Sequence, residues 1–139
     1  MGRLESVKPA TGEQVNSYEY ADEDEVEAVL DRASDVFESW SNQPLRKRER
    51  LLADVADVLR ERKRTYAEQM TVEMGKPISQ AIAEVEKCAW VCDHYAEHAG
   101  TYLADEHFPS PPGTTAKTSY EPLGTSPPVM PWNYPLCQV

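Results

Sequence analysis

The sequence predicts a mainly helical fold: three long helices behind an N-terminal β-hairpin, with an irregular C-terminal tail. Three observations carry this. Apolar residues recur at spacings of three and four over separate stretches, which puts them on one face of a helix. Two short runs near the start flank a segment holding Pro9 and Gly12, the residue types that make turns. From Ala104 onward proline, serine and threonine crowd the chain and the periodicity stops.

The hairpin is read from "RLESVKPATGEQVNSYEY", with strands around Leu4 to Val7 and Val15 to Tyr20. Helix one follows in "DEDEVEAVLDRASDVFESW". Acidic residues fill its first turn, where the positive end of the helix dipole favours them. Its stripe is Val26, Val29, Leu30, Ala33, Phe37 and Trp40. Helix two starts at Pro44, a residue suited to a first helical turn. It carries Leu51, Leu52, Val55, Val58, Leu59, Tyr66 and Met70, and "MGKP" ends it: Gly75 closes the helix and Pro77 restarts the chain. Helix two holds eight of the fourteen basic residues; helix one has eight acids and a single arginine. Their polar edges are expected to attract. Helix three carries Ile78, Ile82, Val85, Ala89, Cys92, Ala96, Ala99 and Leu103, a narrow seam shaped to pack on another helix. Residues 104–120 read as a connection, with "TTAKTSY" as a strand candidate.

A chain of 139 residues fits one domain. With 24 Asp and Glu against 14 Lys and Arg, its formal charge is −10, which argues against gripping nucleic acid or an anionic membrane. No run of about 18 apolar residues exists to span a bilayer. The opening "MGRLESVKPATGE" lacks the apolar stretch of a signal peptide. The three cysteines therefore read as reduced thiols of a cytoplasmic protein.

Cys88, Cys92, His94 and His98 suggest a metal site, but helical geometry opposes it. At about 100° per residue, the cysteines fall near 0° and 40° and the histidines near 240° and 280°. One helix cannot close a tetrahedron from both sides. The basic runs "RKRER" and "RERKR" sit in an amphipathic helix with interleaved acids and read as a solvated face. No GxxxxGK[ST] or GxGxxG occurs to cradle phosphate. Cys137 has no basic neighbour in sequence to activate it as a nucleophile. Asn133 has more to offer. Its amide can donate to an oxygen that turns negative during attack on a carbonyl. Pro131 and Pro135 restrict its backbone, and Trp132 and Tyr134 are expected to anchor it by packing. A proline-rich turn with no role is the competing reading.

Over nearly its full length the sequence resembles the aldehyde dehydrogenase superfamily. "KPATGE", "VFESW", "ERLLADVADVLRERKRTYAEQMTVEMGKP", "EPLG" and "MPWNYP" follow in the family's order and spacing. "EVEKCAWVCDHYAEHA" is similar to the succinate-semialdehyde dehydrogenase group. The resemblance implies an α/β family fold with a Rossmann-like NAD(P)-binding domain, of which residues 1–139 are the N-terminal part. It implies that 104–120 doubles as an oligomerisation strand. It makes Asn133 the side-chain donor of the oxyanion hole and puts Met130, Pro131 and Trp132 at the nicotinamide end of a cleft for NAD or NADP. The family reaction joins a cysteine thiolate to an aldehyde, passes hydride to NAD(P)+, and releases the acid with water activated by a glutamate.

The nucleophilic cysteine, the glutamate base and the glycine loop of the family fall outside the matched stretch. The chain alone is thus expected to be inactive and to bind cofactor weakly or not at all. After "EPLG" the family has an apolar strand; here Pro127 and Pro128 oppose one, because proline donates nothing to a ladder. Without the rest of such a fold, an apolar surface should lie open, with the seam of helix three as the adhesive patch. Three readings remain. The chain is part of an aldehyde-oxidising enzyme, it is a non-catalytic partner of a full-length paralogue or complementing chain, or it is the product of a disrupted gene.

Overall fold

The computed structural model describes residues 2–126 and 128–138. Strand β1 (Arg3–Val7) pairs antiparallel with β2 (Gln14–Glu19), and Arg3 lies opposite Glu19. The connecting turn is closed by backbone: Lys8 N–H donates to Glu13 O at 2.8 Å and Gly12 N–H to Lys8 O at 2.8 Å. Gly12 takes a φ of 75°, as its place in the expected turn demands.

Four helices follow: α1 (Glu23–Ser41), α2 (Leu45–Glu61), α3 (Lys63–Met74) and α4 (Ile78–Tyr102). Asp22 starts α1 with a reciprocal cap. Its carboxylate accepts from Glu25 N–H at 2.9 Å, and Glu25 accepts from Asp22 N–H at 3.1 Å. The single helix two of the sequence reading is two helices. Arg62, at φ −101° and ψ 12°, interrupts it, and the ladder resumes when Tyr66 N–H reaches Arg62 O. No feature of the side-chain pattern explains the interruption.

α4 packs along both α2 and α3. The core between them is Ala56, Ala67, Met70, Ala81, Val85, Cys88 and Ala89. Most of these are small, so the helices approach closely. At the edges, Arg60 of α2 pairs with Asp93, and Lys63 of α3 meets Glu86 at 2.5 Å. Such exposed pairs are screened by water and add little to stability.

The expected attraction between helix one and helix two is not found. Among the described residues no ion pair joins α1 to α2, and α1 buries none of its residues. The adhesive surface moves accordingly. The seam of α4 is covered at its middle, whereas Val26, Val29, Leu30, Val36 and Trp40 of α1 stand exposed. Long-range charge was too weak a guide: in water it cannot fix a helix that has no apolar surface to land on.

The 104–120 connection contains a second hairpin, β3 (Glu106–Phe108) with β4 (Ala116–Thr118), the latter inside the "TTAKTSY" candidate. Thr125, Ser126, Pro128 and Val129 form no strand, as the prolines require; Pro127 lies outside the described residues.

Gly75 ends α3 in the left-handed conformation, φ 74°, with its N–H on Thr71 O. Any side chain there is strained. Gly75→Ala should cost about 1–2 kcal/mol, read as a lower urea midpoint. An unchanged midpoint would show that the turn is not held in this conformation.

Candidate functional site

The sequence directs attention to the loop from Pro128 to Gln138. It lies against the junction of α3 and α4. Leu136 packs on the core cluster of Ala67, Met70, Ala81 and Val85. Trp132, Pro135 and Leu136, with Tyr66, Met70 and Met74 of α3, line a cavity of about 140 Å³.

Asn133 is exposed within this loop. Its anchoring differs from the expected one. Trp132 is 61% exposed and Tyr134 47%, so neither holds the turn by burial. A buried ion pair does it instead. Lys76, next to Gly75, meets Glu84 on α4, and their side chains are 8% and 1% exposed. Lys76 Nζ also donates to Asn133 O at 3.3 Å and lies 4.0 Å from the centre of the Tyr134 ring. The second oxygen of Glu84 accepts from Leu136 N–H at 3.2 Å. One pair thus grips the loop backbone on both sides of Pro135.

Sequence reasoning missed both residues. The signal was present: Glu84 sits between Ala81, Val85 and Cys88 on the packed side of α4, and a carboxylate there must find a cation.

Met130 and Trp132, placed by resemblance at the nicotinamide end of a cleft, are exposed, as is Pro131. Their apolar side chains stand open to solvent, the chemistry an aromatic ring would need. The chain offers no glycine-rich loop for the phosphates.

The four residues of the metal-like cluster are divided. Cys88 faces the loop, its Sγ 2.9 Å from Sγ of Cys137. His94 and His98 stack at 4.5 Å, and His94 meets the Tyr102 hydroxyl at 3.0 Å. Burial, and next the contact with Cys137, push the Cys88 thiol up to about 12. Cys92 is also raised, first by burial and then by the Asp93 charge. Cys137 is exposed, and its sulfur faces that of Cys88.

The aldehyde dehydrogenase family profile matches residues 2–139, and the chain belongs to that family. Among its relatives is a probable succinate-semialdehyde dehydrogenase (NADP+) of Synechocystis sp., 43% identical over 136 residues, covering 98% of this chain and 30% of the relative. A succinate semialdehyde dehydrogenase (NAD(P)+) of Escherichia coli is 43% identical over 96% of this chain and 29% of its own length. The chain therefore spans about 30% of the curated relatives it matches. The crystal structure of succinic semialdehyde dehydrogenase from Streptococcus pyogenes with NADP+ superposes with a TM-score of 0.82 at 29% identity, over 96% of this chain and 30% of that one. An NADP-dependent glyceraldehyde-3-phosphate dehydrogenase from Bacillus halodurans gives 0.89 at 31% identity, over 99% and 30%. The helical layer and hairpin are thus those of the aldehyde dehydrogenase fold.

The raised Cys88 makes the fold sensitive to alkali. An unfolded thiol releases its proton near 9.0, while the folded one keeps it until about 12. Between these values the folded state binds more protons, so stability should fall as pH rises through the window. A Cys88→Ser variant should lose part of that dependence in urea melts at pH 8, 9.5 and 11. The same slope in both proteins would refute the assignment.

Proposed function

We propose that this chain is the oxyanion-binding portion of an NAD(P)-dependent aldehyde dehydrogenase acting on succinate semialdehyde, with Asn133 as the donor. The observation that carries the reading is the loop itself: an exposed asparagine whose backbone is fixed by a buried ion pair. A fixed donor stabilises developing negative charge without reorganising during the reaction. The high identity to succinate-semialdehyde dehydrogenases supports the substrate, and the NADP-linked relatives support the cofactor.

In this reading the Asn133 amide donates to the aldehyde oxygen as it becomes an oxyanion. The nicotinamide cofactor, when bound, accepts hydride. Met130, Pro131 and Trp132 would offer its ring an apolar surface. The nucleophile and base are the family's own, outside the residues of this chain. The hairpin β3–β4 is proposed as an oligomerisation element, since both of its short strands are exposed. The bare stripe of α1 favours a second reading, in which the chain pairs with a complementing chain through that face.

The purified 139-residue chain should show no oxidation of succinate semialdehyde with NAD+ or NADP+. Turnover that disappears in Asn133→Ala would overturn this. Joined in frame to the remaining length of the Synechocystis relative, the chain should support activity. There Asn133→Ala should lower kcat by about 10²–10³-fold, and an unchanged kcat would refute the role of Asn133.

Titration of the chain alone with NADP+ in a calorimeter should give little or no heat, because an apolar surface holds only one end of a dinucleotide. Micromolar binding would contradict that view.

A further inference from the structure

We infer that Lys76 and Glu84 are positioning residues that set the Asn133 donor through the loop backbone; this rests on the proposed oxyanion role of Asn133. Three contacts support it, all to residues within four positions. Lys76 Nζ donates to Asn133 O, the same ammonium lies over the Tyr134 ring, and Glu84 accepts from Leu136 N–H. The peptide group between Asn133 and Tyr134 is thereby tethered, and with it the direction in which the Asn133 side chain leaves the backbone.

Stability alone does not account for the pair. Removing two charges from water costs several kcal/mol, and apolar residues of similar volume often replace a buried pair with no loss. The surroundings would suit such residues: Ala81, Val85 and Cys88 are neighbours of Glu84 on the buried side of α4. What apolar residues could not do is hydrogen-bond to the loop. Each charge makes one further hydrogen bond, and both go to main-chain groups of the loop. The ammonium and carboxylate neutralise each other, and their spare capacity holds a backbone whose other contacts are side-chain packing by Leu136 and the Cys137–Cys88 contact.

The clamp also gives the loop a fixed register. Lys76 and Asn133 are 57 positions apart in sequence, and Glu84 and Leu136 are 52 apart. Lys76 belongs to the turn after α3 and Glu84 to the start of α4. A shift between those elements moves the donor with it. The donor must be held to about 0.5 Å for a catalytic constellation to work, and its own exposed side chain cannot provide that.

The test uses the 139-residue chain and the double variant Lys76→Met/Glu84→Met, which removes both charges and keeps apolar bulk. Thermal melting and helical circular dichroism should stay close to those of the parent. Hydrogen exchange at the Leu136 amide should accelerate at least tenfold, while Val85 in the core stays protected. The backbone amide signal of Tyr134, in the tethered peptide group, should move in a nitrogen-15 spectrum. In the parent, the Leu136 amide should itself be protected; exchange at the rate of an open amide would overturn the inference with no variant needed. Collapse of the whole fold in the double variant would also overturn it, because the pair would then support the helices and not the loop. Unchanged Leu136 exchange in a folded double variant would do the same. These readings involve no turnover, so an Asn133→Ala chimera with full activity would refute the oxyanion role while leaving the clamp standing.

Discussion

The structure turns on a buried ion pair placed where three segments meet. Lys76 comes from the turn after α3, Glu84 from α4, and their remaining hydrogen bonds go to the loop around Asn133. Breaking such a pair by removing one partner leaves a charge uncompensated in a poor dielectric, at a cost of about 3–5 kcal/mol. The other contacts of the loop are weaker: Leu136 on the core, Cys137 against Cys88, and partly open aromatic rings. Polar directionality, and not apolar contact, thus decides where the asparagine sits.

The helices divide into those with partners and one without. α2, α3 and α4 share a core of small residues and are tied at their edges by exposed ion pairs. α1 is stabilised from within. Its Asp22 capping box satisfies the N–H groups of Asp22 and Glu25, and Asn42 and Ser41 return side-chain bonds to Glu38 O. Most of its apolar stripe, Val26, Val29, Leu30 and Trp40, stands exposed among the described residues. This contrast accords with a sequence that spans about 30% of its relatives' length.

Much of the fold was legible from local chemistry. Acidic residues before an apolar stripe marked the start of α1, Gly12 marked a turn, and Gly75 marked the end of α3. Each is a signal that a residue carries within its own few neighbours. The interruption at Arg62 was not legible, because Arg62 is an ordinary helix residue and nothing adjacent breaks the pattern. Complementary charge between the first two helices misled, since attraction across solvent does not specify packing. The site was read in part. Asn133 and its prolines stood out, but the clamp joins residues more than fifty positions apart, and only a carboxylate on the buried face of α4 hinted at it.

Gly75 connects the backbone to the chemistry more directly than its size suggests. Lys76 is the next residue, so the left-handed dihedral at Gly75 aims the lysine stem inward, toward Glu84. A right-handed value at that one bond would send the ammonium elsewhere and leave the carboxylate stranded. The glycine that closes α3 thus stands one peptide bond from a residue whose charge is held out of water, so backbone geometry and buried electrostatics meet at a single link of the chain.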